Sequence, residues 1–210
     1  VCMTAGDGRQ GQGVGTPVPR SASSVPAAGL PDYAELRCVS TFSFLVGASQ
    51  PEELVERAHK QGYRALALTD ECSVAGVVRA HVAAKKIGLK LLIGSQFSVA
   101  VPEPSGDDAP GPFSLGVLAC NLNGYGHLCE FITKLRRASE KGTYHLDLGD
   151  IASDELADCV VVASPVRGST DAQLVGLARW LLTHFTGRCW LGVELLRQLD
   201  DEMWLHKLRE

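Results

Sequence analysis

The sequence predicts an α/β fold, a sheet of largely parallel strands covered by helices, and three observations carry that reading. Short β-type apolar runs alternate with amphipathic helical patterns from Tyr33 onward, capping boxes open two of the helices, and glycines fall where left-handed helix ends are needed. Repeated βα order fits either an open doubly wound sheet or a barrel, and both gather function at the C-terminal ends of their strands.

The first strand is expected over Ala34 to Val39. Ser49 to Glu52 (SQPE) reads as a capping box with proline early in the helix, Leu54, Val55 and Ala58 as the buried face, and Gly62 as the end. A second strand follows at Ala65 to Thr69. The next helix places Val74, Val77, Val78, His81 and Val82 on one face, stops near Gly88 and leads to the strand Lys90 to Ile93.

Pro102 to Pro112 is a Pro/Gly/Asp-rich loop, Ser114 to Cys120 a strand, and Leu128, Phe131, Ile132 and Leu135 a helical stripe. Cys159 to Ala163 is a further strand. The capping box Thr170 to Gln173 opens a helix with Leu174, Leu177, Leu181 and Leu182 inward, closed by Gly187. The strand Cys189 to Leu195 and a helix from Asp200 to Glu210, with Trp204, Leu205 and Leu208 on one side, complete the pattern.

Residues 1 to 31 are rich in Gly, Ser, Pro and Ala, too poor in large apolar side chains to offset the entropy of ordering, and are read as a disordered lead-in. Gly11, Gly13 and Gly15 lack the preceding strand and following helix of a phosphate loop, so they belong to that tail. Residues 32–210 then form one domain. With 210 residues and 45% apolar content the chain can bury a sizeable core.

A formal charge of -4 gives no basic excess of the kind a duplex-binding domain carries. Seven scattered cysteines without CxxC spacing suggest neither a disulfide framework nor a zinc ribbon and read as reduced thiols. No apolar stretch has the length of a membrane span and no signal peptide is evident, so a cytoplasmic protein with no membrane partner is expected. No pair among the six histidines has the spacing of a helical metal motif. His59, His184 and His206 are expected at the surface, His127 at a cap or surface, and His81 half-buried. Lys134, Arg136, Arg137 and Lys141 form a basic cluster, either a solvated helix end or a contact for DNA phosphates.

At the strand ends the sequence becomes specific. Residues 36–45 (LRCVSTFSFL), followed by Gly47 to Ser49 and Pro51 to Leu54, resemble the opening motif of the polymerase-and-histidinol-phosphatase (PHP) domain that begins the bacterial polymerase III alpha family. Residues 67–81 (ALTDECSVAGVVRAH) are similar to the second motif in the error-prone branch of that family. Residues 91–97 (LLIGSQF) resemble the third motif, and 124–129 and 190–195 resemble the following helix start and a later strand. The resemblance runs from about residue 33 to 210.

It implies a PHP-type (βα) barrel of seven strands, incomplete here because the last strand, with an Asp-x-His motif, would follow Glu210. It implies a parent that is an error-prone, damage-tolerant DNA polymerase, a nucleotidyltransferase acting in translesion synthesis and repair. Magnesium would serve a palm domain outside this chain; DNA, a sliding clamp and mutagenesis accessory proteins would be partners of the parent. This stretch alone would then be a scaffold rather than a catalyst and hold no cofactor of its own. A free-standing metal-dependent phosphoesterase or exonuclease, and a non-catalytic docking module, are the alternatives.

In metal-competent members of the family the corresponding motifs supply His-x-His, Asp-His and Glu. Here the matching positions are Arg37, Val39, Asp70, Glu71 and Gln96, with Glu194 at a later strand end, so no metal and no catalytic residue is expected. Cys38 and Cys72 stand beside ligand positions, but Cys38 must point away from Arg37 and Val39 on a strand. Arg37 has two readings, a permanent cation replacing the metal beside Asp70 and Glu71, or an arginine reaching out to solvent.

Overall fold

The structure, a computed structural model, describes residues 33–101 and 109–209. The expected lead-in at 1–31 and most of the Pro102 to Pro112 loop lie outside those residues.

Six strands form one sheet in the order β1-β2-β3-β4-β5-β6, so every strand lies beside its sequence neighbour. They are β1 (Ala34–Cys38), β2 (Ala65–Leu68), β3 (Lys90–Val99), β4 (Phe113–Ala119), β5 (Cys159–Pro165) and β6 (Cys189–Leu191). The longer helices are α1 (Pro51–Lys60), α2 (Val77–Ile87), α3 (Leu122–Ala138), α4 (Asp171–His184) and α5 (Asp201–Lys207). The α/β class read from the sequence is the observed one.

The pairing is parallel for β1 with β2, β2 with β3, and β5 with β6, whereas β4 runs antiparallel to both β3 and β5. This corrects the expectation of uniform parallel order. Where no crossover helix intervenes, antiparallel pairing is the accessible solution, and none is described between β3 and β4. β3 accordingly runs to Val99, well past the expected Ile93, because its second half has β4 as a partner. β6 stops at Leu191 rather than Leu195, because it is an edge with β5 as its only neighbour.

Side chains alternate across the sheet. The odd residues Phe97, Val99, Phe113, Leu115, Val117, Val161 and Ala163 enter one core with Leu128, Phe131 and Leu135 of α3 and Leu177, Trp180 and Leu181 of α4. A second core joins Cys38, Leu66 and Leu68 to Val55 and Ala58 of α1 and Val77, Ala80 and Ala84 of α2. The even residues of β3 and β4 therefore face the opposite, concave side, which carries the polar site.

Several helix expectations shift in detail. Gln50, not Ser49, caps α1, and the Glu53 carboxylate accepts the Gln50 N–H at 2.8 Å, one residue later than read. Gly88, with φ of 76°, ends α2 in the left-handed conformation, as the reading near Gly88 implied. However, Val78, His81 and Val82 point outward, since α2 packs on α1 through Ala80 and Ala84. In α4, Thr170 accepts the Gln173 N–H as a capping box requires, but Leu182 is exposed and the helix ends at His184, before Gly187. His184 is half-buried and stacked on Trp180 rather than free at the surface. No helix of the described residues is long and apolar enough to cross a membrane.

Candidate functional site

Strands β1, β2, β3, β5 and β6 all point the same way, so their C-terminal ends share one mouth. Arg37 of β1, Asp70 and Glu71 after β2, Gln96 of β3 and Glu194 after β6 all lie there. An isolated parallel bridge between Glu71 and Gln96 prolongs the β2–β3 ladder into this region.

Arg37 is the hub. Its Nε donates to Gln96 Oε1 at 2.8 Å, Nη2 to Ser114 Oγ of β4 at 3.2 Å, and Nη1 pairs with Glu194. One guanidinium thus links the first strand, the middle of the sheet and the segment beyond the last strand, which requires the sheet to curl into an incomplete barrel. Gln96 passes the contact on, its Nε2 donating to Glu71 Oε2 at 2.8 Å. Glu71 Oε1 accepts from the Ser98 hydroxyl at 3.0 Å and from the Tyr144 hydroxyl. Burial, and then the hydrogen bond to Glu71, raise the Tyr144 pKa, so the phenol keeps the proton that it donates.

Asp70 is held separately. Buried to 1% exposure, its Oδ1 accepts the Ser40 N–H and the Ser43 hydroxyl, and its Oδ2 the Ser40 hydroxyl, each at 2.8 Å. The contact expected between Arg37 and Asp70 is therefore replaced: serines neutralise Asp70, and the charge partner of Arg37 is Glu194. Solvent is not the destination of Arg37 either, since all three of its nitrogens are engaged.

Arg136, read from sequence as part of a solvated or DNA-facing cluster, turns inward. It donates to the carbonyls of Glu71 at 3.3 Å, Cys72 at 3.2 Å and Thr143 at 3.2 Å, and lies over the Tyr144 ring. It thereby fixes the β2 exit and the loop that brings Tyr144. Ser40, Ser43, Ser98, Ser114, Tyr144 and Arg136 were not legible as members of this site. Only the serines of the first motif carried a signal, their small hydroxyls lying within reach of a strand-end carboxylate.

The fold family implies a metal cluster, and the residues do not fit one. Arg37 and Gln96 occupy ligand positions with nitrogen donors, Val39 offers no donor, and the lone pairs of Asp70 and Glu71 are taken up by hydroxyl, amide and backbone donors. Cys38 packs against α1 and α2, and burial pushes the Cys72 thiol up to about 11, leaving neither as a thiolate ligand. Among the described residues no group of three His, Cys, Asp or Glu is placed to hold a metal ion.

The PHP domain family matches residues 35–174. Error-prone DNA polymerases are similar at the sequence level: that of Bordetella bronchiseptica is 49% identical over 182 residues, covering 83% of this chain and 17% of the relative. That of Ralstonia nicotianae is 50% identical over 184 residues, covering 82% and 16%, and that of Methylococcus capsulatus 46% over 177 residues, covering 84% and 16%. The chain thus spans about a sixth of the length of these curated relatives.

Among solved structures, a putative metal-dependent phosphoesterase from Bifidobacterium adolescentis superposes with a TM-score of 0.57 at 18% identity, covering 85% of this chain and 83% of the other. An amidohydrolase from Chromobacterium violaceum gives 0.56 at 17%, covering 82% and 81%. These likenesses bear on the fold, and the match over most of the chain settles the family. The chain belongs to the PHP domain family.

Proposed function

We propose that this chain is a non-catalytic PHP scaffold of an error-prone, damage-tolerant DNA polymerase. The observation that carries the reading is the replacement of a ligand shell by the bonded set Arg37–Gln96–Glu71–Tyr144, with Glu194 on the far side of Arg37. A mouth filled in this way has no open coordination position from which to polarise a phosphate. It supplies rigidity. Template-directed synthesis, with its magnesium and deoxynucleoside triphosphates, then belongs to a palm domain in a longer polypeptide, as do contacts to DNA, a sliding clamp and mutagenesis accessory proteins, all in the cytoplasm. The identity to polymerases that extend far beyond the matched stretch supports this reading.

One competing reading, a metal-dependent phosphoesterase, is favoured by the name of a structural neighbour. A direct assay separates the two. The purified chain, incubated with manganese or zinc, is expected to hydrolyse neither p-nitrophenyl phosphate nor the terminal nucleotide of single-stranded DNA, and its melting temperature should not rise with either metal. Metal-dependent hydrolysis that disappears in Asp70→Asn would replace the scaffold by the phosphoesterase.

A further inference from the structure

Residues 39–50, which connect β1 to α1 across the mouth, hold large apolar side chains in water. Phe44 is 84% exposed and Leu45 89%, with Phe42 and Val46 exposed beside them. The loop is rigid. Ser43 O accepts the N–H groups of Val46 and Gly47 at 3.0 Å each, Thr41 N donates to Ser49 O at 2.9 Å, and the Ser43 hydroxyl is fastened to Asp70. Leu45 itself has φ of 62°, a left-handed conformation that a leucine adopts only when its surroundings impose it.

A second apolar segment rises from the same end of the sheet. After β6, residues 192–200 expose Val193, Leu195, Leu196 and Leu199, and the Arg37–Glu194 pair joins this segment to the first. The polar centre of the mouth is occupied by its own hydrogen bonds, so a small polar substrate is a poor match. Its rim offers preorganised apolar anchors, the kind of surface that a protein face covers.

We propose that this rim seats a folded region of the longer polymerase polypeptide, an inference that rests on the scaffold reading above. The relatives at 49% identity match over 17% of their length, so a PHP domain in such a chain lies against a much larger body, and interfaces within a chain form on surfaces of this kind. The occupant is an apolar face of that body. A second copy of this chain is the competing occupant.

The test is a chimera in which this chain replaces the matched stretch of the Bordetella bronchiseptica polymerase, compared with the chain alone by hydroxyl-radical footprinting. Oxidation of Phe44, Leu45 and Leu196 is expected to fall several-fold in the chimera, while Val78 on the outer face of α2 stays unchanged. Equal oxidation in both proteins overturns the proposal, as does protection in the isolated chain that grows with its concentration, which would assign the rim to a second copy. Primer extension by the chimera reads the scaffold function separately: extension without protection sinks the rim alone. A chimera that neither extends primers nor melts as one unit counts against both, because the rim then does not fit the body assigned to it.

Discussion

Asp70 and Arg37 show two different ways of keeping a charge at a barrel mouth without a metal. Asp70 is sealed from water and relies on three short hydrogen bonds from Ser40 and Ser43, so removing it strands those donors in a dry environment. Asp70→Ala should lower the unfolding free energy by about 3 kcal/mol, read by urea denaturation, whereas the same change at an exposed carboxylate costs a fraction of that. Arg37 and Glu194 are about a third and two fifths exposed, at 33% and 43%, and solvent screens their attraction. A double-mutant cycle with Arg37→Met and Glu194→Gln should return a coupling of about 0.5–1 kcal/mol, weakening at high salt. A coupling of several kcal/mol, or none, would show that the pair is not what joins the two edges.

At the scale of elements, the loop after β1 depends on one missing methyl group. A Cβ on Gly47 would lie 1.9 Å from the Ser40 carbonyl oxygen, a backbone atom that cannot swing aside. Gly47→Ala should therefore cost about 2–3 kcal/mol and release Ser43 from Asp70, visible as faster hydrogen exchange at the amides of Ser40 and Val46. The strands and helices themselves were legible, because their apolar periods and caps are local signals. Faces were less so: large valines at 78 and 82 outweigh alanines in any sequence reading, yet close packing of α2 on α1 favours Ala80 and Ala84. The limits of β3 and β6 depended on which neighbour each strand has, a fact the strand's own residues do not contain. The strand-end positions of the site could be read from motif spacing, while Tyr144, 73 residues from Glu71, and Arg136, 65 residues away, are brought in by tertiary structure alone.

For the whole molecule, the two cores make stability sensitive to alkali. Burial raises Cys72 in the larger core from 9.0 to about 11, and Cys159 likewise, so the folded protein holds these protons after the unfolded chain has released them. Their contribution is complete below pH 9 and drains away as pH rises towards 11. Unfolding free energy should therefore decline across that interval, and Cys72→Ala, though less stable overall from the cavity it leaves, should show a shallower decline. An unchanged slope would place the alkaline transition elsewhere.

The strand order, in which each strand adds beside its predecessor, has a consequence for birth as well as for stability. Every ladder can form as soon as its second strand leaves the ribosome, with no earlier strand waiting for a distant partner, which limits the time during which an unpaired edge is open to aggregation. The Arg37–Glu194 contact is the exception, joining the first strand to the segment after the last. It can close only when nearly the whole domain has been made, and so marks the completion of an assembly that otherwise proceeds in the order of translation.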